Sequence, residues 1–134
     1  MTRREVEVEG LAEPISHYAD AVAAGDTLYI SGIVPVDESG AVVGGDDVVA
    51  QAREVFSIMG RILAAAGASA ADVVKVTVYL LDIDDRPRIN PVRQAFFGAT
   101  RPASTLVEVS RLAVPGARLE IEAIAHLGSA PARG

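Results

Sequence analysis

The spacing of apolar residues along this chain alternates between two periods, one typical of β-strands and one typical of helices. Alternation at every second residue marks short segments at 4–8, 18–23, 27–31, 74–81, 104–110 and 118–126. A helical period marks 52–66, and a weaker one marks 87–97. The resulting order, β-β-β-α-β-α-β-β, predicts a single α+β domain in which both helices cover one face of a mixed sheet.

Turn and capping residues bound the first three strands and the first helix. The pair Gly25-Asp26 suits a tight hairpin turn between the second and third strands. Asp46 or Asp47 is the expected N-cap of the first helix, and Gly67 follows its last apolar position. These residues make the first helix the best-supported element of the chain.

Two prolines complicate the second helix. Pro87 fits a first turn, but Pro91 does not suit a helix interior, so we expect a start near Asn90 or a distorted first turn. The strand before this helix is rich in β-branched residues. Its alternation predicts one face formed by Val74, Val76, Val78 and Leu80, and an opposite face formed by Lys75, Thr77 and Tyr79.

The closing segment 101–125 predicts two strands joined as a hairpin by the turn Pro115-Gly116. In its second strand, alternation puts Arg118, Glu120, Glu122 and Ile124 on one face and Leu119, Ile121, Ala123 and Ala125 on the other. Two carboxylates on one face repel each other unless water, a cation or donors surround them. They form either a solvated sheet face or a partly dry site in which one glutamate is a general base.

Composition sets the broad class of the protein. With 134 residues, 50% hydrophobic and 22% charged, the chain fits one globular domain over 1–134. It contains no cysteine, which excludes disulfides and thiolate catalysis. His17 and His126 lie far apart and form no metal-binding motif, so we expect no metal site.

Net charge narrows the range of partners. A formal charge of −6 and a pI near 4.8 argue against nucleic-acid binding, which needs a basic footprint. No apolar stretch suits a signal peptide or a membrane span, so a cytoplasmic location is expected. Helices on one face of the sheet leave the other face uncovered, and small domains often bury such a face in an oligomer.

Six segments, taken in order, resemble one known family. They are ISHYADAV (15–22), LYISGIVPVD (28–37), AQAREVF (50–56), AAAGASAADVVKVTVYLLDI (64–83), IN..VRQAFF (89–97) and RPASTLVEVSRL…LEIEAIA (101–125). Together they resemble the Rid family, also called YjgF or reactive intermediate deaminase. The resemblance implies a chorismate-mutase-like fold, a homotrimer with clefts between subunits, and hydrolysis of small enamines and imines to ketones and ammonia without a cofactor.

The resemblance also assigns roles to single residues. Glu120 corresponds to the glutamate that positions water, and Tyr18 to a tyrosine that lines the cleft. Ser31 and Gly32 correspond to a serine-glycine pair of the cleft, and Asn90 to an asparagine there. Each residue also has a structural alternative: edge packing for Tyr18, a turn for Ser31 and Gly32, and an N-cap for Asn90.

One departure from the family pattern bears on substrate choice. Ser104 stands where the resemblance implies an arginine that pairs with the substrate carboxylate through its bidentate fork. Arg101 lies three residues earlier, a spacing that on a strand points to the opposite face. Thr105 and Leu106 would complete the altered pocket wall, with Leu106 in a position often held by a small residue.

Two functions remain open at this point. The chain is either an imine deaminase with altered substrate choice, or a non-catalytic trimer that binds a small metabolite or a protein partner. Some relatives have been linked to ribonuclease activity, but the acidic balance of this chain argues against RNA binding.

Overall fold

The computed structural model describes residues 2–129. The strands are β1 (Arg3–Val6), β2 (Ala21–Ala24), β3 (Thr27–Ile33), β4 (Val73–Leu80), β5 (Ala103–Glu108) and β6 (Leu119–His126). The helices are α1 (Val48–Ala65) and α2 (Arg86–Phe97), and short 3₁₀ turns cover Ala70–Asp72 and Ile83–Asp85. One six-stranded sheet has the order β1-β2-β3-β6-β4-β5, with β4 and β5 parallel and the other pairs antiparallel.

Both helices pack on one face of this sheet, which confirms the predicted mixed α+β architecture. The apolar core lies between α1 and the inward-facing residues of the three central strands β3, β6 and β4. On β6 the burial alternates as predicted, with Leu119, Ile121, Ala123 and Ala125 buried and Glu120 and Glu122 only partly so. The opposite face carries polar side chains together with exposed aromatic and aliphatic ones.

Helix α1 has the expected caps. The Asp47 carboxylate accepts a hydrogen bond from the backbone N–H of Val49 at 2.9 Å, which satisfies one of the free donors at the helix start. Gly67 follows the C-cap with a φ of +77°, a conformation that a side chain would disfavour. The hairpin turn at Gly25-Asp26 also forms as predicted, with Ala24 paired to Thr27.

Helix α2 agrees with the predicted span 87–97 to within one residue, and it contains both prolines. It starts at Arg86, directly after the 3₁₀ turn, so the expected start near Asn90 was wrong. Pro87 lies in the first turn as predicted, and Pro91 lies inside the helix. Asn90 is therefore a helical residue and not an N-cap, which removes its structural alternative.

Two further expectations need correction. The last two strands do not form a hairpin, because β4 lies between them and pairs parallel with β5 and antiparallel with β6. The inward face of β4 begins at Val73, while Val74 is 42% exposed. The register of β4 against β6 shifts between Val73 and Lys75, and this irregularity offsets the alternation by one residue.

A buried polar cluster fixes the start of β6. The fully buried Gln51 side chain accepts a hydrogen bond from the backbone N–H of Arg118 at 2.7 Å and donates to the carbonyl of Gly116 at 3.0 Å. The Arg118 guanidinium pairs with the buried Asp85 carboxylate at 2.7 Å. Helix α1 and the α2 entry turn thus hold the backbone immediately before Glu120.

Candidate functional site

A bulge in β3 creates the first part of the site. Ile30 pairs with Ala123 and Ile33 pairs with Ile121, so two residues of β3, Ser31 and Gly32, oppose a single residue of β6. The extra residue allows both isoleucines to face the core. Ser31 and Gly32 lie between them in partly buried positions, facing a cavity that β6 also lines.

Gly32 and Glu120 are in close contact across this bulge. A Cβ atom placed on Gly32 would lie 2.1 Å from Oε2 of Glu120 and 2.8 Å from its Cδ. Gly32 does not have a positive φ, so backbone conformation does not require glycine there. Glycine is needed there because a side chain would occupy the space of the Glu120 carboxylate.

Ser31 ties a neighbouring loop to the bulge. Its hydroxyl donates to the carbonyl of Ala19 at 2.7 Å, and its backbone N–H donates to the carbonyl of Asp20 at 3.0 Å. These bonds hold the segment before β2, so that Tyr18 lies beside the bulge with 45% of its surface exposed.

Four of the predicted site residues therefore meet in one cavity. Its volume is about 470 Å³, and its lining includes Tyr18, Ser31, Gly32 and Glu120. We call this space the glutamate cavity. Tyr18 lies before the first residue of β2, and not within the strand that the sequence predicted to begin there.

Electrostatics single out Glu120 among the carboxylates of β6. Partial burial raises the pKa of Glu120, and the charge of Glu122 raises it further. Glu122 accepts a short hydrogen bond from the Tyr79 hydroxyl, an interaction that raises the pKa of Tyr79. Among residues 2–129, no donor forms a hydrogen bond to Glu120, so its carboxylate is open to a molecule in the cavity.

The remaining predicted residues lie elsewhere. Asn90 lines a second cavity of about 550 Å³ between α2 and the loop that precedes β5, together with Arg93 and Arg101. We call this space the arginine cavity. The two cavities share no lining residue, so one chain does not bring Asn90 and Glu120 together.

The predicted site residues of β5, Ser104, Thr105 and Leu106, alternate between the two faces of the sheet. Leu106 packs against the core on the helix side, and Ser104 accepts a hydrogen bond there from Nη2 of Arg93 at 2.9 Å. Thr105 accepts a hydrogen bond from Nζ of Lys75 at 2.7 Å on the open face of the sheet. Ser104 and Leu106 thus lie on the side of the arginine cavity, and Thr105 does not.

Arg93 is a further candidate residue, one that the sequence analysis did not name. Burial lowers the pKa of its guanidinium, and its hydrogen bond to Ser104 puts a cation beside the β5 position at which the family resemblance implied an arginine. The available signal was its spacing, since a residue three positions after Asn90 lies on the same face of a helix.

Two kinds of feature are absent from the described residues. In the part of the chain that the structure describes, no three histidine, cysteine or carboxylate side chains are grouped so that they could hold a metal ion. No helix within residues 2–129 is long and apolar enough to cross a membrane.

Comparison with known proteins defines the class. The family model described as Endoribonuclease L-PSP matches residues 9–127. The 3-aminoacrylate deaminase RutC of Acinetobacter baylyi is 40% identical over 119 residues, covering 89% of this chain and 94% of that protein. The 2-iminobutanoate/2-iminopropanoate deaminase of Homo sapiens is 35% identical over 128 residues, covering 96% and 93%.

A solved structure agrees with this result. The crystal structure of a putative endoribonuclease from Thermotoga maritima superposes with a TM-score of 0.86 and 38% identity, covering 92% of this chain and 96% of that one. The chain therefore belongs to the Rid/YjgF family, whose family model bears the Endoribonuclease L-PSP description. The family and the fold expected from the sequence are both confirmed.

Proposed function

We propose that this protein is an enamine and imine deaminase that hydrolyses small reactive imines to ketones and ammonia. The observation that carries the proposal is the half-buried Glu120 carboxylate, which lies in a cavity against a glycine and accepts no hydrogen bond from the described residues. The deaminase names of the two relatives support the same reaction class. Neither a metal nor a cofactor is required by the steps below.

Hydrolysis of an imine needs one water and two proton transfers. Glu120 would accept a proton from water as the water oxygen bonds to the imine carbon, and the C=N electron pair would move to nitrogen, which takes up a proton. Collapse of the resulting carbinolamine breaks the C–N bond. The hydroxyl proton is lost as the ketone forms, and the nitrogen takes up a second proton, which Glu120 returns, so that it leaves as ammonia.

The raised pKa of Glu120 suits both transfers. A general base works best when its pKa lies nearer the working pH, because the same group must return the proton later. Burial and the neighbouring Glu122 shift Glu120 in that direction. An ordinary solvated carboxylate would be a weaker base and would hold water less selectively.

We further propose that the working unit is a homotrimer with sites between subunits. Glu120 with Tyr18, Ser31 and Gly32, and Asn90 with Ser104, occupy separate places on one chain. A site that uses both sets needs the glutamate cavity of one subunit to face the arginine cavity of the next. A cytoplasmic location and a lack of nucleic-acid binding remain predictions from composition.

The test compares two isosteric substitutions on β6. Glu120→Gln should lower the rate of ketone release from imines generated in situ by an oxidase by about 10²–10⁴-fold, since the base is lost. Glu122→Gln, two residues along the same strand face, should keep most of the rate. Equal rates for the wild type and Glu120→Gln would reject the proposal.

A second candidate is a non-catalytic trimer that binds a small metabolite or a partner. The observation that favours it is Ser104, a residue that cannot supply the charged clamp expected at that position. In that case, the protein would bind a ketone or imine analogue without releasing ammonia from any imine. Measurable turnover that depends on Glu120 would exclude it.

A further inference from the structure

The arginine cavity is cationic, although the protein as a whole is acidic. Its described lining residues include Arg93 and Arg101 and no aspartate or glutamate, while the chain has a net charge of −6. Asn90 and Thr100 add an amide and a hydroxyl. A cavity that offers two guanidinium groups and neutral donors favours a small anion.

Arg93 differs from the paired arginines of this chain. Arg118 and Arg88 both form ion pairs with the buried Asp85 carboxylate, and Arg3 pairs with Glu5. Within residues 2–129, Arg93 is partly buried, has no carboxylate partner and forms its hydrogen bond to the neutral Ser104. Partial burial of an unpaired cation is unfavourable, and an anionic ligand would relieve that cost.

The geometry leaves most of the guanidinium available. One N–H of Nη2 is directed to the Ser104 hydroxyl at 2.9 Å, which orients the planar group, and the other donors remain unused by the described residues. Asn90 lies one helical turn before Arg93 and lines the same cavity. A carboxylate could therefore accept a bidentate pair from Arg93 and a third bond from the Asn90 amide.

We infer that Arg93 of α2 binds the carboxylate of the substrate, and that Ser104 positions its guanidinium. Arg93 would thus replace from the helix the charged clamp that β5 lacks. The inference rests on the proposed function and deepens it, since it defines the substrate as an imino or enamino acid and not a neutral imine. Both relatives compared above are named for substrates that carry a carboxylate.

Binding without turnover tests this assignment on the full-length chain. The probe is 2-oxobutanoate, a stable keto acid, and its uncharged amide serves as the comparison ligand in calorimetric titrations. Arg93→Ala should weaken binding of the acid by roughly thirty-fold or more, the effect of removing one member of a close charge pair. Binding of the amide should change little.

Matched variants separate charge from structure. Arg93→Lys keeps the charge without the fork and should bind the acid with intermediate affinity. Arg86→Ala removes an exposed arginine of the same helix outside the cavity and should match the wild type. Adding Ser104→Arg to Arg93→Ala should restore much of the affinity, because the charge returns to the same place from the strand.

Each outcome decides the question. If Arg93→Ala, or Arg93→Gln should the alanine variant not fold, binds the acid as tightly as the wild type, the assignment is wrong. It is also wrong if wild-type protein does not prefer the acid to the amide. Acid binding that depends on Arg93 supports it even when no imine is hydrolysed. Conversely, turnover of neutral imines by a Glu120-dependent protein without Arg93-dependent binding leaves the deaminase proposal intact and removes this one.

Discussion

The glutamate cavity and the arginine cavity partly bury side chains of opposite charge. The first keeps a carboxylate partly dry beside a second carboxylate, which raises the pKa of Glu120. The second keeps a guanidinium partly dry beside a hydroxyl, which lowers the pKa of Arg93. Both charges are costly where they lie, and each is left with capacity to interact with a ligand.

The two cavities also differ in how they are built. Glu120 is positioned by strand register, a bulge and a glycine contact, so its place depends on the sheet. Arg93 is positioned by a helix that packs beside an edge strand, and within residues 2–129 a single hydrogen bond orients its head group. We therefore expect the chemistry of the first to respond sharply to small steric changes, and the affinity of the second to respond mainly to charge.

Among the predictions that compare the two cavities, the largest expected effect comes from Gly32→Ala. The added methyl would lie 2.1 Å from Oε2 of Glu120, so the carboxylate must swing away, and kcat should fall about a hundred-fold, which is roughly 2.7 kcal/mol of barrier. The backbone conformation at this position accepts alanine, so the melting temperature should change little. The affinity for 2-oxobutanoate, which we infer Arg93 binds, should stay within about two-fold of wild type. That change is smaller than the loss of one ordinary hydrogen bond would cause.

A smaller effect is expected in the pH profile of kcat/KM. Glu120 must be ionised to act as a base, and its raised pKa means that activity declines, as the pH falls, at a higher pH than for an ordinary glutamate. Glu122→Gln removes the charge that is the second cause of the shift. The acidic limb of the profile should therefore move to lower pH without disappearing, because burial remains. A limb that stays in place would show that Glu122 does not influence the base.

The smallest expected effect is on stability. Because the pKa of Glu120 is raised on folding, the folded state holds this proton more tightly than the unfolded chain. The resulting contribution to folding stability is complete below the unfolded pKa and is lost as the pH rises through the folded pKa. At neutral pH the ionised Glu120 therefore destabilises the folded state. Glu120→Gln should raise the melting temperature at pH 7 by about 1–3 °C, with water screening keeping the gain small. The difference should shrink in acid, and a lower melting temperature at pH 7 would contradict this account.

Sequence reasoning succeeded where the signal was local. The caps of α1, the turn at Gly25-Asp26 and the alternation of β6 depend on residues close in sequence, and each formed as predicted. The hairpin of β5 and β6 was wrong because pairing partners depend on which strand enters the sheet between them. The misplaced face at Val74 has a similar cause, since a shift in strand register leaves no mark in the pattern.

The candidate site shows the same difference between features set by local sequence and features set by contacts between distant residues. Motif matches led to Glu120 and Gly32, but not to the contact between them, which depends on a bulge that only the paired strands define. Arg93 was not named from the sequence because an arginine on a helix is usually exposed to solvent. Its neighbour in space, Ser104, belongs to a different element, and sequence distance hides that pairing.

The contact between Gly32 and Glu120 has an evolutionary side as well. Every glycine codon becomes an alanine codon by a change of its second base, so one point mutation separates a lineage with an open carboxylate from one with a displaced carboxylate. The core, the caps and the arginine cavity do not depend on that methyl group. Under the proposed function, a descendant of this protein would lose most of its hydrolytic rate in a single step and keep a fold that still binds the same class of anion.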